Sequence, residues 1–160
     1  MGSNPTLSTI ILCYNHPMKS KILVFLQFFI IFLMLLPFGS HTLYLYPGLF
    51  ITAVGMIVGF LAIGAHKRGN FNIRPDIKES CELVTHSIYA YVRHPMYLSV
   101  LLMMLGITVI YFSYYELVLY LLLVITLLVK LTYEEHLWQC HSEVYEAYKK
   151  RTKRLIPFLF

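Results

Sequence analysis

Tyr89-Ala90-Tyr91-Val92-Arg93-His94-Pro95-Met96-Tyr97 is the stretch at which a polar segment ends and a long apolar run begins, so we place it at a membrane surface. Proline is favoured in the first turn of a helix because its missing N–H would be unpaired there. Pro95 is therefore expected to open a helix, with His94 at its cap. The first N–H groups of that helix then lie beside Arg93, an arrangement that suits an anionic group. The alternative is that Arg93 and Tyr97 are interfacial anchors, a snorkelling cation and a belt aromatic.

The composition predicts an all-α integral membrane protein. Of the 160 residues, 58% are hydrophobic and 16% aromatic, and the mean hydropathy is +0.66. A soluble core of this size cannot bury so much apolar surface. Apolar runs near the length that crosses a bilayer predict four transmembrane helices, at about 22–37, 47–65, 95–112 and 117–132.

The distribution of basic residues predicts the orientation of these spans. Every lysine and arginine falls before span one, between spans two and three, or at and beyond the end of span four. The two remaining loops, residues 38–46 and 113–116, hold none. By the positive-inside rule both termini are then cytoplasmic. The net charge of +5 describes a cytoplasmic face beside anionic lipid, and it requires no nucleic-acid partner.

The segments outside the spans have separate predictions. Residues 1–21 are expected to be an N-terminal tail, and residues 22–160 a single membrane domain. The long polar connection after span two still carries apolar residues, among them Phe71, Ile73 and Ile77. This pattern favours a folded cytoplasmic flap loop over disorder. A final amphipathic helix over 134–153 should lie on the membrane face.

Spans three and four should form an antiparallel hairpin, because the aromatic-rich connection 111–116 between them is short. The hairpin brings Glu134 and Glu135 back to the depth of Arg93 and His94. Carboxylates at the end of a span are costly unless they are hydrated or paired, and Arg93 and His94 are possible partners. A hydrated helix end is the alternative. His136, Cys140 and His141 match the spacing of no common metal site, so we predict no metal.

Several motifs, taken together and in order, resemble the isoprenylcysteine carboxyl methyltransferase family, whose superfamily includes phospholipid N-methyltransferases and, more distantly, sterol reductases. Arg-His-Pro-x-Tyr combined with a downstream Glu-Glu and a Tyr-x-x-Tyr tail is more specific than any one piece. The motifs are Asn70-Phe71-Asn72-Ile73-Arg74-Pro75, Leu83-Val84-Thr85, Tyr89, Arg93-His94-Pro95-Met96-Tyr97, Glu134-Glu135-His136-Leu137, Tyr145, Tyr148 and Arg154-Leu155-Ile156-Pro157.

The resemblance implies an S-adenosylmethionine pocket on the cytoplasmic side, with a lipophilic or prenylated substrate entering from the bilayer. It implies that His94, Tyr97 and Glu135 contact the cofactor, and that Leu83, Tyr89 and Arg154 line its pocket. The chain departs from the family where Gly-Pro-Tyr and a basic residue are usual, because Ser87-Ile88-Tyr89-Ala90 stands there. At that point the chain therefore lacks the turn that Gly-Pro would favour and the positive charge of the basic residue.

Methyl transfer is an in-line displacement that needs close positioning and exclusion of water, and it needs no metal. We predict Arg93 and Glu134 as the catalytic residues. A carboxylate acceptor needs a cation such as Arg93 to orient it, whereas an amine acceptor must first lose a proton to a base such as Glu134. Isoprenylcysteine-type carboxyl O-methylation is the leading hypothesis. The alternatives are phospholipid N-methylation, of the phosphatidylethanolamine type, and a non-catalytic membrane module that binds lipid or a partner.

Overall fold

Helices form all the regular structure in the part of the chain that the computed structural model describes, residues 17–36, 44–66, 83–141 and 143–156. No strand occurs in these segments, which confirms the all-α prediction. The helices are α1 (Pro17–Met34), α2 (Leu45–Gly64), α3 (Pro95–Ile110), α4 (Tyr114–His141) and α5 (Glu143–Arg151), with a 3₁₀ turn at Ser87–Ala90 before α3.

Two of these helices, α2 and α4, are long enough and apolar enough to cross a membrane. Helix α3 is apolar but shorter, with 16 residues. Large apolar side chains also cover the outside of the bundle, such as Phe25 on α1 and Phe60 on α2, at 70% and 75% exposure. A soluble protein would bury such residues, so these surfaces point to a membrane protein.

The helix boundaries differ from the predicted spans at two places. Helix α1 begins at Pro17, inside the predicted tail, because the residues after this proline are helix formers. Helix α4 continues past 132 to His141, so the separate helix predicted over 134–153 is wrong; its second half is α5. No proline or glycine interrupts residues 132–141. The predicted flap lies mostly in residues 67–82, outside the described residues, as do tail residues 1–16.

Helices α2 and α3 approach each other so closely that their contact requires glycine. A Cβ atom on Gly55 would lie 2.8 Å from the backbone nitrogen of Met103. A Cβ atom on Gly106 would lie 2.6 Å from the carbonyl oxygen of Gly48. Ser99 adds a hydrogen bond from its hydroxyl to the Gly55 carbonyl oxygen, 2.8 Å long. Small residues at this contact therefore allow the two backbones to approach closely.

The second packing surface joins α1 and α3 to α4. Its buried residues come from one stripe of α4 and the facing sides of the other two helices, and they include Ile30, Met34, Leu101, Met104, Leu119, Leu123, Leu127 and Leu131. The α4 members recur every four residues, the spacing of one helix face. This stripe fixes the rotation of α4, and it therefore determines which way the residues that follow Leu131 point.

Candidate active site

The C-terminal segment is held against the stretch that precedes α3 by backbone hydrogen bonds. The Arg93 N–H donates to the Lys153 carbonyl oxygen at 2.8 Å, and the His94 N–H donates to the Arg154 carbonyl oxygen at 3.1 Å. In return the Lys153 N–H donates to the Tyr91 carbonyl oxygen at 3.1 Å. Together these bonds form a short parallel bridge. The residues after α5 therefore lie beside the start of α3.

Arg93 is buried, and its guanidinium joins three parts of the chain. Its Nε–H donates to Glu135 Oε1 at 2.8 Å. Its Nη1 group donates to the carbonyl oxygen of Lys149 at 3.0 Å and also to that of Thr152. Nη2 has no hydrogen bond to any residue in the described segments. Arg93 thus connects α4 to the end of α5. It can do so because a guanidinium presents several N–H donors in fixed directions.

Glu135 is surrounded by positively charged or protonatable side chains. Besides Arg93, His94 Nε2 lies 3.3 Å from its Oε1 and Arg154 Nε lies 3.1 Å from its Oε2. The Glu135 side chain is 4% exposed. We call Arg93, His94, Glu135 and Arg154 the Glu135 cluster. Two guanidinium groups neutralise the buried carboxylate, and that is the condition under which burial of a charge is tolerated.

Glu134, the preceding residue, has a different environment. Its Oε2 accepts a hydrogen bond of 2.6 Å from the Tyr97 hydroxyl, and His94 Nδ1 lies 3.8 Å away. The rings of His94 and Tyr97 stack with their centres 5.4 Å apart. The Glu134 side chain is 25% exposed, and its Oε1 has no partner among the described residues. One carboxylate oxygen thus remains available to a ligand.

These contacts confirm that the start of α3 and the end of the apolar part of α4 meet, as the predicted hairpin requires. We call the place where α3 begins and the apolar part of α4 ends the corner. Besides Glu134, five of the predicted site residues lie there: Arg93, His94, Tyr97, Glu135 and Arg154. Leu83 is half-buried and makes no hydrogen bond to the others within the described segments. The roles predicted for all these residues remain predictions.

Tyr89, a predicted pocket residue, lies on the flank of the corner. Its hydroxyl is 2.8 Å from His66 Nε2, and its carbonyl oxygen accepts a hydrogen bond of 2.7 Å from the Tyr148 hydroxyl. Burial raises the pKa of the Tyr89 hydroxyl and lowers the pKa of His66. Both groups are therefore neutral near pH 7. Through these two contacts Tyr89 connects the 3₁₀ turn to the end of α2 and to α5.

Ser87 occupies a backbone conformation that favours glycine. Its φ angle is +58°, in the left-handed region, where a side chain costs about 1–2 kcal/mol. Ser87 is the position at which the resembling family usually has the glycine of Gly-Pro-Tyr. The turn therefore keeps a conformation suited to that glycine although the residue has changed.

Three side chains at this end of the bundle received no site role from the sequence, although one of them, Tyr145, is a residue of the family motifs. Tyr145 is 2% exposed, and its buried hydroxyl has no partner in the described structure. Lys130 is also buried, and its Nζ donates to Gln27 Oε1 at 2.8 Å. Two signals in the sequence could have found Lys130 and Gln27. Lys130 stands one helical turn before Glu134, and Gln27 is the only polar residue within the apolar run of span one. No group of three or more metal-ligating side chains occurs in the described residues.

An all-helical bundle with apolar outer surfaces and a cluster of charged residues at one end is a membrane protein with a candidate active site. The family model described as phospholipid methyltransferase matches residues 43–146, more than half of the chain, and the chain belongs to that family. This superfamily includes the isoprenylcysteine carboxyl methyltransferases, so the resemblance found in the sequence is confirmed. Membership implies methyltransferase activity, and methyltransferases of this family generally use S-adenosylmethionine. No curated protein and no solved structure matches the chain.

Proposed function

We propose that the chain is an S-adenosylmethionine-dependent methyltransferase that acts on a lipophilic acceptor in the membrane. The observation that carries the proposal is the contrast between Glu134 and Glu135 on α4, which face the start of α3. Glu135 has both oxygens paired, whereas the adjacent Glu134 keeps one oxygen without a partner among the described residues. A buried cluster of paired charges beside a carboxylate with an open oxygen is the arrangement expected of a preorganised site.

The residues at this corner fit the cofactor. S-adenosylmethionine supplies, when bound, an electrophilic methyl group on a sulfonium, and it carries an ammonium and a carboxylate. The Glu134 oxygen suits a positive group, and the part-exposed guanidinium of Arg154 suits a carboxylate. The buried Tyr145 hydroxyl lacks a partner among residues 17–36, 44–66, 83–141 and 143–156, which is costly unless a ligand or water supplies one.

In this proposal His94 and Tyr97 contact the cofactor with their stacked rings. Glu135 is the third residue predicted to contact the cofactor. Its contact with His94 Nε2 also fixes the orientation of the His94 ring. Leu83, Tyr89 and Arg154 line the pocket. The backbone hydrogen bonds of the C-terminal segment keep these groups in place, and in-line methyl transfer requires such positioning.

The acceptor predicted from the sequence is the carboxylate of an isoprenylcysteine-type substrate. Such a nucleophile is already ionised near pH 7 and needs only orientation. Arg93 Nη2 supports this role, since the Nε and Nη1 groups are occupied and Nη2 is not. The carboxylate oxygen would gain the methyl group as an ester while the cofactor sulfur becomes a neutral thioether.

The second candidate acceptor is the amine of a phospholipid, of the phosphatidylethanolamine type. The family match and Glu134 both support it. An amine is protonated near pH 7 and must lose a proton before it attacks, and the open Oε1 of Glu134 is placed to accept that proton. Here Glu134 would be the general base and Arg93 would hold the lipid phosphate.

The proposed arrangement in the bilayer has four spans with both termini and the site on the cytoplasmic side. The apolar helices and the distribution of basic residues support it. A cysteine introduced at His41 should react with an impermeant thiol reagent from outside intact cells. Labelling of this cysteine from the cytoplasm alone would contradict the topology.

The decisive experiment supplies purified protein in lipid vesicles with methyl-labelled S-adenosylmethionine and either a prenylcysteine analogue or phosphatidylethanolamine. Label that base treatment releases as methanol indicates an ester, and base-stable label in the lipid headgroup indicates a methylated amine. Saturable binding of S-adenosylmethionine is measured in parallel. Absence of both binding and transfer would contradict the proposal and favour a non-catalytic membrane module.

A further inference from the structure

A buried lysine on α4 contacts Tyr97, one of the residues of the candidate site. Lys130 is 1% exposed and lies one helical turn before Glu134. Its ammonium bonds to Gln27 of α1, itself 6% exposed. Burial of an ammonium costs several kcal/mol unless partners compensate, and lysines near helix ends normally extend to water. An interfacial anchor would extend in that way, and Lys130 does not.

The same ammonium leads to Glu134 through an aromatic ring. Lys130 Nζ lies 5.1 Å from the centre of the Tyr97 ring, within the range of a cation–π interaction. The hydroxyl of that ring donates to Glu134 at 2.6 Å. Gln27, Lys130, Tyr97 and Glu134 therefore form one chain of contacts across α1, α4 and α3. Each contact restricts the next side chain in the series.

Helix α1 ends at Met34, before the first residue matched by the family model at 43. Its outer face carries exposed phenylalanines, among them Phe25, Phe28 and Phe32, which suits a helix that only anchors the protein. Its one buried amide nevertheless holds the cation that contacts Tyr97. An apolar pair at 27 and 130 would pack without the cost of burying a charge, so packing alone does not account for Gln27 and Lys130.

We propose that Lys130, held by Gln27, is a positioning residue that fixes Tyr97 and Glu134 for the reaction, so that α1 is part of the active site. The positive charge on the ring face also makes the Tyr97 hydroxyl a stronger donor to Glu134. The effect on turnover rests on the proposed function. The contact between Gln27 and Lys130 does not, and it can be tested separately.

The test compares Lys130→Met, Lys130→Arg and Gln27→Met in lipid vesicles with the methyl-transfer assay and with S-adenosylmethionine binding. Met keeps the length and apolar stem of both side chains. Val129→Met and Leu26→Met are the controls, because they introduce the same residue at neighbouring exposed positions. Lys130→Met should lower kcat about tenfold or more, as expected for loss of a charged contact, with a smaller change in the cofactor Kd.

Lys130→Arg should restore most of the turnover, since a guanidinium can bond to Gln27 and stack on Tyr97. Gln27→Met should lower kcat less than Lys130→Met, and the double variant should be no worse than Lys130→Met alone. A turnover of Lys130→Met equal to that of Val129→Met, or equal losses for Lys130→Met and Lys130→Arg, would overturn the positioning role.

A second measurement does not depend on activity. Thermal unfolding of Gln27→Met, Lys130→Met and the double variant forms a double-mutant cycle. The shifts in Tm should be non-additive, with the double variant less destabilised than the sum. Inactive wild-type protein would overturn the proposed function and with it the role of Lys130 in turnover. Additive Tm shifts would overturn the pairing itself.

Discussion

Glu134 and Glu135 are neighbours in the sequence with opposite environments. Glu135 is surrounded by Arg93, His94 and Arg154, and each of its oxygens is paired with at least one of them. Glu134 receives a hydrogen bond from Tyr97 on one oxygen and leaves the other open. The two side chains diverge because successive residues of a helix point about 100° apart. The leucine stripe of α4 fixes which of the two faces the C-terminal segment.

Two like residues that are adjacent in the chain can thus have different roles, one structural and one chemical. A buried carboxylate that pairs with one buried and one part-exposed guanidinium is structural, and its loss should affect stability first. A carboxylate with a free oxygen contributes little to folding, and its loss should affect chemistry first.

Glu135→Gln should destabilise the protein most. The amide keeps the shape but removes the negative charge, so Arg93 and Arg154 lose their counter-charge within a buried cluster. Breaking a buried ion pair costs about 3–5 kcal/mol in the free energy of unfolding. Chemical denaturation in detergent measures the change. Glu146→Gln is the control, because Glu146 is exposed and its hydrogen bond within the described segments is to Gln139. This variant should change the free energy by less than about 0.5 kcal/mol.

Arg93→Lys keeps the positive charge but loses the planar guanidinium with its several N–H donors. A single ammonium cannot serve Glu135 together with the carbonyl groups of Lys149 and Thr152, so buried acceptors lose partners at a cost of about 1–3 kcal/mol. We also expect turnover to fall by more than the cofactor affinity does. Arg151→Lys, at an exposed position on α5, is the matched control. Full activity of Arg93→Lys would remove Arg93 from the proposed catalytic residues.

Tyr97→Phe should leave folding nearly intact and weaken the Glu134 side of the corner. The variant keeps the ring that stacks on His94 and lies under Lys130, and removes only the hydroxyl that bonds to Glu134. We expect turnover to fall about tenfold, the equivalent of about 1.5 kcal/mol. Tyr91→Phe removes a hydroxyl from an exposed ring nearby and should have no effect. Equal activities of the two variants would contradict the proposed role of Tyr97.

Ser87→Gly has the smallest expected effect and the opposite sign. Glycine adopts a φ angle of +58° without strain but has more freedom in the unfolded chain, so the net gain should be about 0.5–1 kcal/mol in the free energy of unfolding. Ala90→Gly, in the same turn, should lower that free energy instead, because its backbone needs no glycine. A loss of stability in Ser87→Gly would show that the Ser87 side chain contributes something else.

Much of the fold could be predicted because apolar runs, tight connections and Pro95 act locally. The meeting of Arg93 with Glu135 followed from the hairpin, since two antiparallel helices return to the same depth. The end of α4 was mispredicted because a change from apolar to polar residues marks a change of environment, and a helix can cross that change without a break. Arg93 donates its hydrogen bonds in the C-terminal segment to backbone carbonyl oxygens, and these acceptors have no sequence signal.

The difference between Glu134 and Glu135 could not be predicted either. It depends on the rotation of α4, and that rotation is set by packing against α1 and α3. The same limit applies to Lys130, which the sequence places among the cations at the end of a span. Its burial against Gln27 depends on where α1 lies, and no local pattern specifies the neighbour of an apolar helix.

The measurement that tests the division between the two carboxylates most directly is the turnover of Glu134→Gln beside its stability. We predict a free energy of unfolding within about 1 kcal/mol of wild type, because the variant alters only the hydrogen bond from Tyr97 and the 3.8 Å approach of His94 among the described contacts. We predict a loss of turnover of about a hundredfold or more. Destabilisation as large as that of Glu135→Gln, or turnover close to wild type in a folded Glu134→Gln protein, would contradict this division.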